Sequence, residues 1–173
     1  QAENLRYNTS GLWLNPANPS TTYGRHYDWA TVMNGATTSS SNPSAVQGIC
    51  LSGWHLPSDS EWNKLEMALG TPAADTANTG FRGTDHGIKM KSTTGWNSSG
   101  NGTNASGFNA FFAGNYHSGS FYFLGSNAYF WSSTELSGSL AWYRALYITV
   151  SPRCTTTTSV RRTAFRAAVS RIS

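Results

Sequence analysis

Ser58 and Glu61 constrain this chain more than any other pair of residues, because they mark a helix start in a largely irregular sequence. They sit in the run Gly53-Trp54-His55-Leu56-Pro57-Ser58-Asp59-Ser60-Glu61-Trp62. The Ser58 hydroxyl can accept a bond from an orphan N–H of the first turn, and Glu61 can reach back to the N–H of Ser58, a capping box. Asp59 and Glu61 add negative charge at the positive end of the helix dipole. Pro57 stops a helix from running in from upstream. Trp62, Leu65 and Leu69 then recur at helical spacing, which puts Glu61, Asn63, Lys64 and Glu66 mostly on other faces. Gly70 and Pro72 end the element. The pattern predicts a short amphipathic helix over 58–69 with an indole on its buried side.

The 173 residues fit one domain of 1–173 with a sizeable core. Charged residues make up only 12%, about half the usual share, while aromatics reach 13%. A composition this low in charge excludes a disordered polyelectrolyte and reads as a loop-rich domain anchored by large rings. The net charge of +4 is uneven, since Arg144, Arg153, Arg161, Arg162, Arg166 and Arg171 close the chain. Apolar and small polar residues separate these arginines, and no nucleic-acid motif accompanies them. They fit strands and protein-binding surfaces better than a nucleic-acid partner. Cys50 and Cys154 permit one disulfide in an oxidising compartment, which sequence does not decide. No C-x-x-C or H-E-x-x-H spacing suggests a metal. No apolar run approaches the roughly 20 residues a membrane span needs. The start at Gln1 without a signal peptide is expected of a processed or trimmed N-terminus.

Residues 5–14 read as an opening strand or strand pair broken near Gly11. Tyr27 to Met33 reads as a short helix with Asp28 at its start and Asn34-Gly35 at its end. Thr71 to Gly87 is polar and irregular, Ile88 to Lys91 short and extended, and Gly95 to Gly107 an exposed loop. Phe108–Tyr116, Ser120–Leu124, Ala128–Ser132, Trp142–Val150 and Thr163–Ile172 read as strands. Their short connections call for antiparallel pairing. The fold class is α+β: one or two short helices packed on short antiparallel strands, with many loops.

Several stretches together resemble the "major paralogous domain" family first named from Fibrobacter succinogenes. They are Tyr27-Asp28-Trp29-Ala30, Gly48-Ile49-Cys50, Gly53-Trp54-His55-Leu56-Pro57-Ser58, Glu61-Trp62 and Lys91-Ser92-Thr93-Thr94-Gly95-Trp96. Trp131-Ser132-Ser133-Thr134-Glu135 and Ala141-Trp142-Tyr143-Arg144 complete the set, in the family's order. That family is similar to C-type lectin folds, so the resemblance implies a C-type lectin-like domain. His55-Leu56-Pro57-Ser58 and Trp62 also look like a helix-start motif of the formylglycine-generating branch of that fold, and Ala164-Phe165-Arg166 resembles the Gly-Phe-Arg of its final strand.

The resemblance breaks in the C-terminal third. The family usually carries an Asn-rich run after Trp-Tyr-Arg, where this chain reads Ala145-Leu146-Tyr147-Ile148-Thr149-Val150-Ser151-Pro152-Arg153-Cys154. An Asn pair after Gly-Ser-Phe appears here as Tyr122-Phe123, and Leu140 stands where Asn commonly precedes Ala-Trp-Tyr-Arg. The replacing residue types can all be reached from an Asn codon by changing only its two adenines. That pattern resembles a diversity-generating retroelement, whose adenine-specific mutagenesis rewrites the 3′ end of a target gene, and known targets have C-type lectin folds. Lys and Glu, unreachable under that rule, are absent after Glu135. The resemblance implies a variable ligand-binding region over about 120–163. Its candidate contacts are Tyr122, Phe123, Leu140, Ala145, Tyr147, Thr149, Val150, Pro152, Arg153, Cys154, Arg161 and Arg162, projecting onto one face. The expected partner is a protein on a cell or virus surface, and the expected location is extracellular, on a bacterial surface or phage particle. No cofactor is called for.

Trp54, Trp62, Trp131 and Trp142 read as core, His55 as a buried, hydrogen-bonded histidine, and Cys50 as a small core residue. Trp131 to Glu135 reads as a structural turn or strand end. The family's second cysteine is replaced around Ala168-Val169, and Cys154 falls in the variable run, which argues against a Cys50–Cys154 bridge. Formylglycine-generating chemistry needs a reactive cysteine pair and a metal, and the chain lacks that context, so no enzyme is expected. Sets drawn from His26, Asp28, Asp85, His86 and His117 mean nothing without geometry. A calcium-dependent sugar lectin would need a Glu-Pro-Asn or Gln-Pro-Asp motif beside Trp-Asn-Asp, and neither is present. The competing reading is an adhesion or lectin-like domain without programmed diversity, with a fixed protein or glycan partner.

Overall fold

The computed structural model describes residues 2–5, 8, 10–18, 23–148, 154–160, 165–166 and 168–171; for 2–4, 154–160, 166 and 168–171 it describes the backbone. The predicted helix is present as α2 (Asp59–Ala68), with both halves of the Ser58–Glu61 capping box formed. Its C-terminal end is a Schellman closure: Thr71 N–H bonds the Glu66 carbonyl, Gly70 N–H bonds that of Met67, and Gly70 takes φ +106°. The earlier helix is α1 (Trp29–Met33); the Asp28 carboxylate accepts from Thr31 N–H at 2.7 Å, and Asn34 closes it at φ 48°. Both ends follow from local residues, as the sequence predicts.

A third helix, α3 (His86–Met90), replaces the extended piece expected over 88–91. Five residues are too few to hold a helix by propensity. Burial of His86 and Met90 and a Lys89 Nζ bond to the Leu69 carbonyl at 2.7 Å hold it from outside.

The strands are β1 (Ala2–Asn4), β2 (Leu12–Trp13), β3 (His26–Tyr27), β4 (Trp54–His55), β5 (Gly80–Arg82), β6 (Asn115–His117), β7 (Ser120–Tyr122), β8 (Asn127–Ser137), β9 (Leu140–Tyr147), β10 (Cys154–Val160), β11 (Phe165–Arg166) and β12 (Ala168–Arg171). One sheet has the order β2-β3-β11-β8-β9-β10-β5, a second has β1-β12-β4, and β6-β7 is a separate hairpin. All named strand pairs are antiparallel except β11 with β8. The polar stretch before Gly87 contributes β5, and β10 forms where no strand was expected. Most of Phe108–Tyr116 is irregular instead of strand.

Strands β8 and β9 are buried on both faces, with side chains alternating between two cores. Tyr129, Trp131, Ala141 and Ala145 pack with Tyr27, Trp29, Val32, Met33, Leu56 and Phe165. Ala128, Phe130 and Leu146 pack on the other side with Trp62, Met90, Trp96 and Phe112. Trp62 and Trp131 are fully enclosed, whereas Trp54 and Trp142 are half-buried.

Candidate functional site

The α2 side of the sheet carries a buried ionic network. Glu66 Oε2 accepts from Arg82 Nε at 2.7 Å, and Oε1 accepts from Arg82 Nη2 at 2.8 Å and Arg144 Nε at 2.5 Å. Arg144 Nη1 donates to Asp59 Oδ1 at 2.6 Å, and Asn63 Oδ1 accepts from both arginines at 2.8 Å. Arg82 Nη1 also donates to the carbonyls of Thr76 and Asn78. Glu66 and Arg144 are 0% exposed. Glu66 was expected away from the buried face, which is corrected; the sequence reads Arg144 as part of a strand and a family motif, without a partner. Glu66 lies four residues after Trp62 and shares its buried face, and Arg144 closes the network from β9. Burial alone would raise the Glu66 carboxyl, but hydrogen bonds and charge from Arg82 and Arg144 hold it below its ordinary value. Burial lowers His86, whose Nδ1 lies 3.0 Å from Thr71 Oγ1.

Two other motifs also act in holding the backbone. His55 Nε2 meets Glu61 Oε1 at 2.5 Å, while Glu61 Oε2 accepts from the N–H groups of Ser58 and Ser44. Trp131 to Glu135 forms a bulge, since Trp131 pairs with Tyr143 and Glu135 with Ala141. The groups it frees bind three segments. The Ser132 carbonyl accepts from Trp29 Nε1, the Ser133 carbonyl from Thr38 and Ser39, and Thr134 Oγ1 takes the Asp59 N–H at 2.9 Å. Cys50 is a buried free thiol that burial pushes up to about 12.

The candidate contact residues divide among several places. Tyr122 and Phe123, at the end of β7, are 45% and 55% exposed, with ring centroids 6.1 Å apart. Tyr147, at the end of β9, is half-buried and its ring lies 5.4 Å from that of Phe81, which is 53% exposed. Ala145 is fully buried in the first core and presents nothing to a ligand, a correction: its row neighbours are Tyr129 and Thr155. In backbone register Cys154 pairs with Arg82 of β5 and Leu146 of β9. Leu140 is half-buried at the far end of β9, seven positions or about 23 Å from Tyr147 at strand spacing. Thr149, Val150, Pro152, Arg153, Arg161 and Arg162 lie outside the described residues.

The Tyr122–Phe123 turn has an unusual backbone. Phe123 takes φ +61°, a left-handed conformation that bulky residues rarely adopt. Gly114 lets the turn lie close, since a Cβ there would come within 2.0 Å of the Tyr122 carbonyl oxygen. The Phe123 carbonyl then accepts from the N–H groups of Ser126 and Asn127, tying the turn to β8.

Sequence reading missed Phe81 and Gly114. The only sequence trace of Phe81 is its place between Gly80 and Arg82. The residues from which hydrolytic sets were assembled serve other ends. Asp28 caps α1, Asp85 pairs with Lys89 at 3.0 Å, and His26 Nε2 lies 3.1 Å from the Ala113 carbonyl. Among the described residues no group of three His, Cys, Asp or Glu is arranged to hold a metal ion, and no helix is long and apolar enough to cross a membrane. A cleft of about 590 Å³ between Met33–Ser39 and Ser44–Gly48 is lined by uncharged residues and lies apart from the candidate contacts.

The fold and these sites define an α+β domain whose recurrent motifs serve as internal fastenings. The chain belongs to the Fibrobacter succinogenes major domain family, whose model matches residues 2–169. No curated protein and no solved structure matches it.

Proposed function

We propose that this chain is a non-enzymatic, ligand-binding surface protein with a C-type lectin-like fold, and that a diversity-generating retroelement rewrites its C-terminal region. Variable side chains recognise a protein ligand outside the cell, on a cell or virus surface, while the remainder acts as a constant scaffold. Tyr122, Phe123 and Tyr147 carry contact energy, since aromatic residues dominate interface hot spots.

The observation that carries this reading is the backbone of Phe123. The family resemblance puts Asn at this position, and Asn is among the few residues that enter the left-handed region readily. A phenylalanine at φ +61° with its ring exposed suits a residue written over an Asn codon for display. The buried network behind β9 and β5 supports the same reading, because it holds these strands through Arg82 and Arg144 without using any candidate contact residue.

Deep sequencing of the gene in its source population tests the proposal. Variation should gather at codons 122, 123, 140, 147, 149, 150 and 152–154 and be confined to adenine positions of one template. A gene that is uniform, or varies evenly at synonymous sites, would favour an undiversified adhesion domain with a fixed partner.

A further inference from the structure

We infer that the constant segment from Lys91 to Asn101 is a clamp that sets the spacing between two display places, the Tyr122–Phe123 turn and the end of β9 at Tyr147, with Lys91 and Gly100 as its positioning residues. The inference rests on the reading of those two places as ligand contacts. It also assigns a task to the family stretch Lys91-Ser92-Thr93-Thr94-Gly95-Trp96, of which the core accounts only for Trp96.

One arm of the clamp holds the end of β9. Lys91 Nζ donates to the Tyr147 carbonyl at 3.2 Å and lies 5.0 Å over the Trp96 ring. Trp96 is fixed in turn: its indole N–H faces Ser92 Oγ at 3.1 Å and the Ala110 carbonyl at 3.3 Å, and its backbone N–H donates to Asn101 Oδ1 at 2.9 Å. Gly100 meets the next residue of the strand exit. A Cβ there would come within 2.6 Å of Ile148 Cγ1 and 3.2 Å of the Ile148 carbonyl oxygen, so the approach requires glycine. The Ile148 N–H donates to the Ser126 carbonyl at 2.7 Å.

The other arm reaches the turn. Asn97 N–H donates to the Gly125 carbonyl at 2.9 Å, and Gly100 N–H to the Asn97 carbonyl at 2.8 Å. Gly125 leaves room for the Asn97 side chain, which a Cβ would meet at 2.3 Å. Gly125 follows Phe123 by two residues. The Phe123 carbonyl accepts from Asn127 N–H, and Asn127 is the register partner of Tyr147. The segment therefore touches both places, yet it lies outside the region of about 120–163, so programmed variation leaves it unchanged.

Lys91 is poorly suited to stabilising the fold by itself. It is 3% exposed and pairs with no carboxylate among the described residues, and burial holds its amine below its ordinary value. A buried ammonium without a counter-charge is unfavourable. What it supplies is direction, one charge-assisted bond to a chosen carbonyl. A methionine would fill similar space without the desolvation and without the bond. Fixing two contact places in advance lowers the entropy lost when one ligand engages both.

The test uses single-domain antibody fragments selected from a synthetic library on the folded, immobilised chain. They are sorted by whether Tyr122→Ser, Tyr147→Ser or both weaken binding. Lys91→Met should weaken fragments that need both rings by about tenfold or more, and change those that need one ring by less than about twofold. Its melting temperature should equal or exceed that of the parent. Amide hydrogen exchange should quicken by about tenfold at Ile148 and stay unchanged in α1 and α2. Gly100→Ala, which displaces Ile148, should give the same division among fragments. Fragments that need both rings but bind Lys91→Met as tightly as the parent would overturn the inference and leave the ligand reading standing. Weakening of every fragment together with a fall in melting temperature would also overturn it, because Lys91 would then hold the fold and not a spacing. If selection yields fragments for each ring and none for both, the two places form no common surface, and the inference fails together with the shared ligand face.

Discussion

The two faces of the sheet at β5 and β9 are built from adjoining residues that do opposite things. Arg82 and Arg144 turn toward α2 and are enclosed with Glu66, Asp59 and Asn63, whereas Phe81 and Tyr147 turn away and keep ring surface in solvent. Strand alternation makes this possible, since neighbours in sequence face opposite sides. The difference teaches that the rigid side is polar. A purely apolar contact can repack around a changed neighbour, but a carboxylate holding two guanidinium groups accepts only one arrangement.

Breaking the enclosed side should have the largest effect. Glu66→Ala leaves two buried guanidinium groups around an empty place, and loss of one partner of a buried pair costs about 3–5 kcal/mol. Urea unfolding should show that loss or an unfolded chain. A Glu66→Ala protein as stable as the parent would mean that the network is peripheral to the fold.

Acid should separate the two faces without any substitution. Glu66 is held below its ordinary 4.5, so its contribution is present above that pH and is lost as pH falls through the lower folded value. His86 is also lowered, from 6.5, so the unfolded chain takes up its proton first and stability begins to fall below pH 6.5. Melting temperature should therefore decline in two stages, the first removed by His86→Asn. A flat profile from pH 7 to 5 would contradict the burial of His86, and a flat one below pH 4.5 would contradict the pairing of Glu66.

The bulge and the caps should give intermediate effects. Ser58→Ala removes the N-cap acceptor of α2 and the Ser58 bond to the Ser41 carbonyl, and should cost about 1–2 kcal/mol. Thr134→Val deletes the acceptor for the Asp59 N–H and the donor to Ser39, and should cost about 1 kcal/mol in the same denaturation assay. Neither change touches Tyr122, Phe123 or Tyr147, so ligand binding by the folded fraction should be unchanged.

How much of this was legible depended on the range of the interaction. Ser58 with Glu61, and Asp28 with Asn34, are local, and the helix ends could be read from sequence. Periodicity misplaced Glu66 because a hydrophobic pattern has no way to represent a carboxylate whose partners, Arg82 and Arg144, are 16 and 78 residues away. The helix over His86–Met90 and the strand at Phe81 were illegible for the same reason: each is short and held by groups distant in sequence. Motif resemblance named the family, yet most of its quoted residues, such as Trp131–Glu135 and Arg144, proved to be fastenings. The candidate contacts were proposed from departures, and Ala145 shows the limit, since a departure from Asn does not reveal which way a strand residue faces.

The smallest expected effect is a gain. Phe123→Asn relieves a left-handed backbone strain that costs a bulky residue about 1 kcal/mol or somewhat more, so the variant should be more stable by up to about that amount. It also removes an exposed ring, so binding to any ligand selected on the parent should weaken. Phe123→Ala separates the two effects, because it loses the ring but keeps the strain. A display position on a prepared scaffold should show this opposition, with stability rising as affinity falls. If Phe123→Asn is less stable than the parent, the ring is serving the fold, and Tyr122–Phe123 belongs with the enclosed face of the molecule and not with the open one.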